Sequence, residues 1–505
     1  MPIQVEVHPF RRKTLARRIA KESKSQVTGS GPADYLDKYA ATLGCKTMVI
    51  EREYVDGDYL DDFAAYYSRC FDRYKRRCSR IHLFASSIRE EQLLETLLGG
   101  EAQTAEELQD RYLGFIVVRP LPNAPIGRTA LSVFPPENGR RQYRAIRKYR
   151  VSLFGIPLEV ESLAYQQQDS VVAACATVAL WCAFHGTSQL FHSSLPRPAE
   201  ITKIASHATS PGRVFPNHGL DLRQICDAVR ATGIEPELFS VDGTTQLPSL
   251  LYAHLAAHIP VIVCAEIEGL DHHAFTLTGW SIQNSVHTKE AHDDTCIPML
   301  GRRISAFYAH DDQIGPFARL DVGRGSVEGE DQTIFEGTWQ NDDGSYRRII
   351  PWAVVVPVYN KIRVNFIDIQ EHLLPLQDFF DALTDNALAG DCEWDVTLST
   401  VNDYKERVRA NPLLSADDKQ SVLLASQPKF IWKANLGISG HTALQLLADA
   451  TGVRDDMPFI RAVWYDTSLK KTVRNLLKKV PDHVLDRALG PPLLEFLRQA
   501  TRPSE

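Results

Sequence analysis

Residues 151–360 read as a helical half followed by a strand-rich half, and this order limits the folds open to the segment. The stretch GLDLRQICDAVRATG (219–233) has apolar residues at helical spacing and a glycine stop at Gly233. Strand signals follow at 259–267, 273–282, 302–312 and 346–359. The pattern predicts one α+β domain over 151–360.

The chain has 505 residues, and domains of roughly 150 residues are the norm, so we expect about three domains. Residues 1–150 carry helix signals at 58–80 and 89–100 and two strands within 113–134, which predicts an N-terminal α+β domain. Residues 361–505 carry helix signals at 369–383, 441–452 and 469–480 and strand signals at 392–400, 428–437 and 459–467. These alternating signals predict a C-terminal α/β domain that binds a substrate or a protein partner.

Composition excludes several classes of protein. Hydrophobic residues make up 44% and charged residues 24%, which is ordinary for a globular chain. The net charge of -7 gives no global reason to expect nucleic acid as a partner. Neither a signal peptide nor an apolar stretch of membrane-spanning length is present, so we expect a cytoplasmic protein with no membrane contact. The nine cysteines lack paired short spacings, and we expect most of them to be reduced and buried.

The segment YQQQDSVVAACATVALWCAFHG (165–186) changes from a polar run to an almost wholly apolar helix near Cys175. A thiol at the start of a helix is easiest to ionise there, because the positive end of the helix dipole stabilises the thiolate. A neighbouring histidine would complete the pair of groups that a cysteine nucleophile needs.

Two downstream segments supply candidate partners for this thiol. His273 opens the strand HAFTLTGW, where His273, Phe275 and Leu277 share one face. A carboxylate on a neighbouring strand would hold the tautomer of the histidine, and FYAHDDQIG places Asp311 and Asp312 at such a strand end.

These segments, in this order, resemble papain-like cysteine peptidases, and most closely the bacteriocin-processing, double-glycine branch found in bacteria. The resemblance rests on the glutamine-to-cysteine helix start, on His273 to Gly279, and on Asp311 to Gly315. It covers roughly 200 residues of the middle domain only. It implies a helical half and an antiparallel sheet, with Cys175 as nucleophile, His273 as base, Asp311 as orienting group and Gln168 as oxyanion donor.

The activity implied is cleavage of a peptide or isopeptide bond in a protein substrate, with no cofactor and no metal. Two alternatives use the same domain. One is a catalytically silent papain-like binding or scaffold module, and the other is acyl transfer to an amine through the same triad.

The sequence departs from the family pattern at four places. Gln168 lies seven residues before Cys175 where six is usual, so Gln167 or Gln166 could be the donor instead. Ala176 stands where a glycine often follows the nucleophile. The stretch between His273 and Asp311 is long, with an insertion around 284–299, and Asp312 competes with Asp311 for the orienting role.

Each of these features also has a purely structural interpretation. Cys175 could be a buried helix cysteine, and the glutamine run could be a solvated loop in which Asp169 caps the helix. The basic runs at 11–24 and 73–80 are typical of solvated helix faces. A metal site is a further alternative, drawn from a larger set of histidines and aspartates: His272, His273, His292, His310, Asp271, Asp293, Asp294, Asp311 and Asp312.

Overall fold

The structure is a computed structural model that describes residues 5–25, 31–100, 104–169, 174–205, 219–243, 246–270, 272–284, 297–337, 346–387, 392–412, 414–453 and 457–502, with backbone only at 384–387 and 418. The chain divides into two compact units. The first comprises Met1–Gly243, His258–Ile282 and Ala306–Val358, and the second comprises Thr244–Ala257, Gln283–Ser305 and Tyr359–Glu505. The first unit therefore holds most of both the 1–150 and the 151–360 segments. The three-domain division stays a prediction.

The first unit contains eight labelled helices within the described residues: α1 (Thr14–Ser23), α2 (Pro32–Thr42), α3 (Gly57–Ala65), α4 (Glu90–Leu97), α5 (Ala105–Asp110), α6 (Cys175–Phe191), α7 (Pro198–Ala205) and α8 (Leu222–Ala231). Its early strands are β1 (Glu6–Pro9), β2 (Thr47–Tyr54), β3 (Cys78–Phe84), β4 (Tyr112–Val118), β5 (Ile126–Leu131), β6 (Arg141–Tyr143), β7 (Arg147–Leu153) and β8 (Ile156–Ser162). The later strands are β9 (Glu235–Ser240), β10 (Val261–Ile267), β11 (His272–Ile282), β12 (Ile304–Asp311), β13 (Gly315–Val327), β14 (Glu330–Glu336) and β15 (Ile349–Val358).

Strands β1 to β5 form an antiparallel sheet in sequence order, with an apolar cluster on each face. One cluster includes Val49, Phe115 and Val117, and the other includes Ile50 and Ile116. Because both faces are covered, β4 reads YLGFIVV, a nearly continuous apolar run without the alternation of a half-exposed strand.

A second antiparallel sheet closes on itself. Its strands follow the order β10-β11-β12-β13-β14-β15, and β15 pairs back with β10 through partners such as Ile262 and Val355. Strand β9 adds to β15, and β6 adds to β11. Helix α6 packs on this sheet, where the Thr276 hydroxyl of β11 donates to the Ala179 carbonyl oxygen at 2.7 Å. Helices followed by antiparallel strands confirm the α+β class predicted for this segment.

Two glycines in the strands that follow His273 and Asp311 are needed for close packing inside the first unit. A Cβ on Gly279 would lie inside van der Waals contact of the Gln142 carbonyl oxygen, because β6 pairs with β11 at that point. A Cβ on Gly315 would overlap the ring of Tyr35, whose hydroxyl donates to the Pro316 carbonyl oxygen at 3.0 Å. At both positions the absence of a side chain therefore allows a segment from the first 150 residues to pack closely.

The second unit is built on an antiparallel sheet of β16 (Cys392–Thr400), β17 (Phe430–Ile438), β18 (His441–Asp449) and β19 (Phe459–Trp464), in that order. Its helices are α9 (Leu247–Leu255), α10 (Phe366–Ala387), α11 (Val401–Ala410), α12 (Ala416–Leu423), α13 (Thr467–Lys479), α14 (Asp482–Leu489) and α15 (Pro491–Ala500). Because the sheet is antiparallel, this part of the chain is α+β, and the α/β prediction is wrong.

Two predicted helices are wrong for the same physical reason. The segment 441–452 favours a helix by composition, yet β18 is a strand whose Leu444, Leu446 and Leu447 are buried in the sheet. The segment 58–80 has helical spacing, but α3 ends at Ala65 and β3 begins at Cys78, opposite Tyr54. In both segments pairing with distant strands overrides the local preference.

The described residues contain no helix that is long and apolar enough to cross a membrane. The cytoplasmic location stays a prediction.

We predict that Gly279→Ala lowers the free energy of unfolding by about 1–3 kcal/mol, because the added methyl group meets backbone that cannot move aside without breaking the β6–β11 pairing. The measurement is urea-induced unfolding of the whole chain. Gly323→Ala on β13 is the matched control, since its nearest neighbour would be Ile334 Cγ1 at 3.6 Å. Equal stability of the two variants would contradict the packing role of Gly279.

Candidate active site

Cys175 is the first residue of α6, and its thiol is free and half-buried. The N-cap residue is Ala174, which makes no side-chain cap hydrogen bond. The interpretation of Asp169 as the cap is therefore wrong. An uncapped start leaves backbone N–H groups and the positive end of a 17-residue helix beside the thiol. Both effects favour a negative charge at or near the Cys175 sulfur.

His273 lies near the start of β11, paired with Ala265 of β10, and only 4% of its surface is exposed. Its ring lies beside that of Phe275 on the same face of the strand, with a centroid distance of 6.1 Å. Its Nε2 atom is 3.2 Å from Asp311 Oδ1. A hydrogen bond also joins the imidazole to the Cys175 thiol. The structure thus brings Cys175, His273 and Asp311 together from α6, β11 and β12.

The charge state of His273 follows from these neighbours. Burial disfavours the imidazolium form, but the negative charge of Asp311, the hydrogen bonds to Asp311 and Cys175, and the charge of Asp312 outweigh it. Together they raise the pKa of His273 well above its ordinary value. We therefore expect an imidazolium at neutral pH, which is the form that stabilises a neighbouring thiolate.

The two aspartates differ in how they are held. Asp311 ends β12 and is 1% exposed, and its Oδ1 accepts a hydrogen bond from the Gln313 backbone N–H at 3.0 Å. Asp312 is 2% exposed, with Oδ1 at 3.6 Å from His273 Nε2. Neither carboxylate oxygen of Asp312 has a hydrogen-bond partner among the described residues. Burial, above all, raises the pKa of Asp312. Asp311 is the nearer and better-held partner of the histidine.

The three glutamines before Cys175 have different surroundings. Gln166 is 2% exposed, and its Nε2 atom has no hydrogen-bond partner among the described residues. Gln167 is tied to β5, since its N–H donates to the Ile126 carbonyl oxygen at 3.0 Å and its Oε1 accepts from the Ile126 N–H at 3.4 Å. Gln168 is half-buried. The interpretation of this run as a solvated loop is therefore wrong at Gln166, because the side-chain amide of Gln166 is buried.

Residues that the sequence analysis missed hold this run in place. Arg119, which is 1% exposed, donates from Nη2 to the Gln167 carbonyl oxygen at 2.8 Å and from Nε to the Ala124 carbonyl oxygen at 3.0 Å. The Tyr67 hydroxyl donates to Asp169 Oδ2 at 2.8 Å. The one sequence signal for this anchoring role is an arginine directly after the apolar run of β4, because a buried guanidinium needs several hydrogen-bond acceptors.

Among the residues that the structure describes, the wider metal-site hypothesis reduces to three. His310 uses both ring nitrogens inside the fold, with Nε2 at 2.9 Å from the Leu163 carbonyl oxygen and Nδ1 accepting from the Phe317 N–H at 3.1 Å. His272 is exposed and lies against Trp352. Asp271, His292, Asp293 and Asp294 lie outside the described residues. His273, Asp311 and Asp312 place one donor atom each within 4.8 Å of one another, so these three could hold a metal ion.

The basic runs lie away from these residues in the sequence and differ in structure. The 11–24 run contains α1, which exposes Arg17 and Lys21 and buries Leu15 and Ile19. The 73–80 run leads into β3 and is not the predicted helix face.

Neither a protein-family model nor a curated protein matches the chain.

We predict that His273 titrates well above the ordinary histidine value of about 6.5, and that Asp311→Asn lowers its pKa because the largest favourable charge is removed. NMR titration of the imidazole resonances measures this directly. Asp321→Asn, which affects an exposed aspartate paired with Arg319, is the control. An unchanged His273 titration in Asp311→Asn would contradict the ion pair.

The same shift has a consequence for stability. A histidine whose pKa rises on folding stabilises the folded state fully below its unfolded pKa, and this contribution is lost as pH rises through the folded pKa. The stability difference between wild type and Asp311→Asn should therefore shrink at alkaline pH.

Proposed function

We propose that this chain is a papain-like cysteine hydrolase that cleaves a peptide or isopeptide bond in a protein substrate. The observation that carries the proposal is the meeting of a half-buried thiol at a helix start, a buried histidine and a buried carboxylate, contributed by three separate elements. The order of the elements supports it, since a helix bearing the cysteine precedes antiparallel strands bearing His273 and Asp311. The resemblance noted in the sequence predicts the same roles.

The chemistry follows from the charges at the site. His273 holds the proton of Cys175, and Asp311 orients and stabilises the imidazolium through Nε2, which leaves the Nδ1 edge of the ring for the sulfur. The thiolate attacks the substrate carbonyl carbon, and the imidazolium returns its proton to the leaving amine. Water, deprotonated by His273, then releases the acyl group as a carboxylic acid and regenerates the thiol.

The oxyanion of the tetrahedral intermediate needs donors that are already in place. The Cys175 backbone N–H is one, at the uncapped start of α6. We assign the second to Gln166, because its buried amide nitrogen has no acceptor among the described residues, whereas Gln167 is engaged with Ile126. This assignment replaces the role that the resemblance implies for Gln168.

We predict that iodoacetamide modifies Cys175 at least about tenfold faster near neutral pH than it modifies Cys70, because only Cys175 has an imidazolium and a helix start beside it. Both thiols are free and half-buried in the same unit, which makes Cys70 a matched control. The rates are measured by peptide mass spectrometry. His273→Ala should slow Cys175 and leave Cys70 unchanged. Equal rates for the two cysteines in wild type would favour the silent scaffold module.

We predict that Gln166→Met slows acylation of Cys175 by p-nitrophenyl acetate about 10²–10³-fold, since the variant keeps the side-chain volume and loses the oxyanion donor. Alkylation by iodoacetamide, which forms no oxyanion, should be unchanged in this variant. Gln168→Met is the control. If Gln168→Met is the slower variant, the donor is Gln168. Release of the acyl group to an added amine faster than to water would indicate an acyltransferase.

A further inference from the structure

The carboxylate of Asp312 has no place in the proposed mechanism. It is buried beside the pair formed by His273 and Asp311, and both of its oxygens lack a hydrogen-bond partner among the described residues. Such a group is costly to bury, and a bound cation would offset that cost. The side chain is directed at the histidine, with Oδ1 at 3.6 Å from Nε2.

The spacing of the donor atoms fits a metal ion of zinc size. Bonds of about 2.0–2.1 Å in a tetrahedron place neighbouring nitrogen and oxygen ligands about 3.4 Å apart. His273 Nε2 lies 3.2 Å from Asp311 Oδ1 and 3.6 Å from Asp312 Oδ1. All three donor atoms lie within 4.8 Å of one another. One ion could therefore contact one nitrogen and two oxygens with small shifts of the side chains.

The Cys175 sulfur is outside this group of three donors. The Cys175 thiol is hydrogen-bonded to the same imidazole. A set of one imidazole and two carboxylates, with water as the fourth ligand, suits Zn²⁺, whereas Mg²⁺ and Ca²⁺ prefer oxygen ligands alone.

We propose that His273, Asp311 and Asp312 bind a zinc-type divalent cation, and that the bound ion blocks the thiol by removing the imidazolium beside it. The binding half of this proposal stands on the donor geometry, and the blocking half rests on the proposed function. The ion takes the place of the proton on His273 Nε2, which is released to water, so the ring is no longer an imidazolium. Without the imidazolium beside it, the sulfur stays protonated as a thiol, which does not attack a carbonyl.

The test uses the full chain, freed of metal with a chelator and titrated with Zn²⁺ against a chromophoric zinc indicator. Wild type should bind one Zn²⁺ ion. Asp312→Asn should bind it at least about tenfold more weakly, since the loss of even an indirect contact to a metal ion lowers the affinity by that factor. Asp62→Asn is the matched control, because Asp62 is also a buried carboxylate of the first unit but lies outside the group of donors.

A measurement on wild type alone guards against variants that fail to fold. Zn²⁺ should protect Cys175 from iodoacetamide and leave Cys70 reactive, and a chelator should restore the rate. The metal proposal is overturned if Asp312→Asn and wild type bind Zn²⁺ with equal affinity, or if Zn²⁺ does not protect Cys175. The hydrolase proposal still stands in that case if Cys175 reacts fast with iodoacetamide in the metal-free protein. Tight Zn²⁺ binding by a protein whose Cys175 reacts slowly with iodoacetamide in the absence of metal keeps the metal site and overturns the hydrolase. Activation of hydrolysis by Zn²⁺ overturns the blocking role.

Discussion

The candidate site depends on the ion pair between His273 and Asp311, because both groups are almost wholly removed from water. A buried imidazolium is tolerated only where a carboxylate lies beside it, and a buried carboxylate likewise requires a positive charge beside it. Asp311 meets this need at 3.2 Å and is itself held by the Gln313 N–H. The pair keeps a positive charge next to Cys175, which is the condition for a reactive thiolate at neutral pH.

The first 150 residues help to build this site and are not simply attached to it. Arg119 and Ile126 bind the backbone of Gln167, and Tyr67 binds Asp169, so the run before Cys175 is anchored to the five-stranded sheet and its neighbours. On the other side of the site, β6 lies against Gly279, and Tyr35 lies against Gly315 just after the two aspartates. A substitution in the N-terminal segment can therefore change the alignment of Cys175 and His273 without touching either.

Asp312 makes this arrangement unlike a simple triad. Two adjacent carboxylates face one imidazole, and only Asp311 has a backbone donor of its own among the described residues. A proton on Asp312 or a metal ion beside it would each relieve the repulsion between the carboxylates. The two solutions have opposite consequences for the thiol, since a protonated Asp312 leaves the imidazolium beside Cys175 in place and a metal ion on His273 removes it.

Local patterns in the sequence determined much of the architecture: the helix start at Cys175, the amphipathic α8, the strands around His273 and Asp311, and the α+β class of the middle segment. Each depends on residues close together in the chain, where side-chain periodicity and cap residues act directly. Tertiary structure decided the rest. It made 441–449 a strand, ended α3 at Ala65, buried Gln166 in preference to Gln168, and recruited Arg119 and Tyr67 to the run before Cys175. These outcomes depend on pairing and burial between segments far apart in the chain, and local spacing carries no information about which distant partner a side chain will meet.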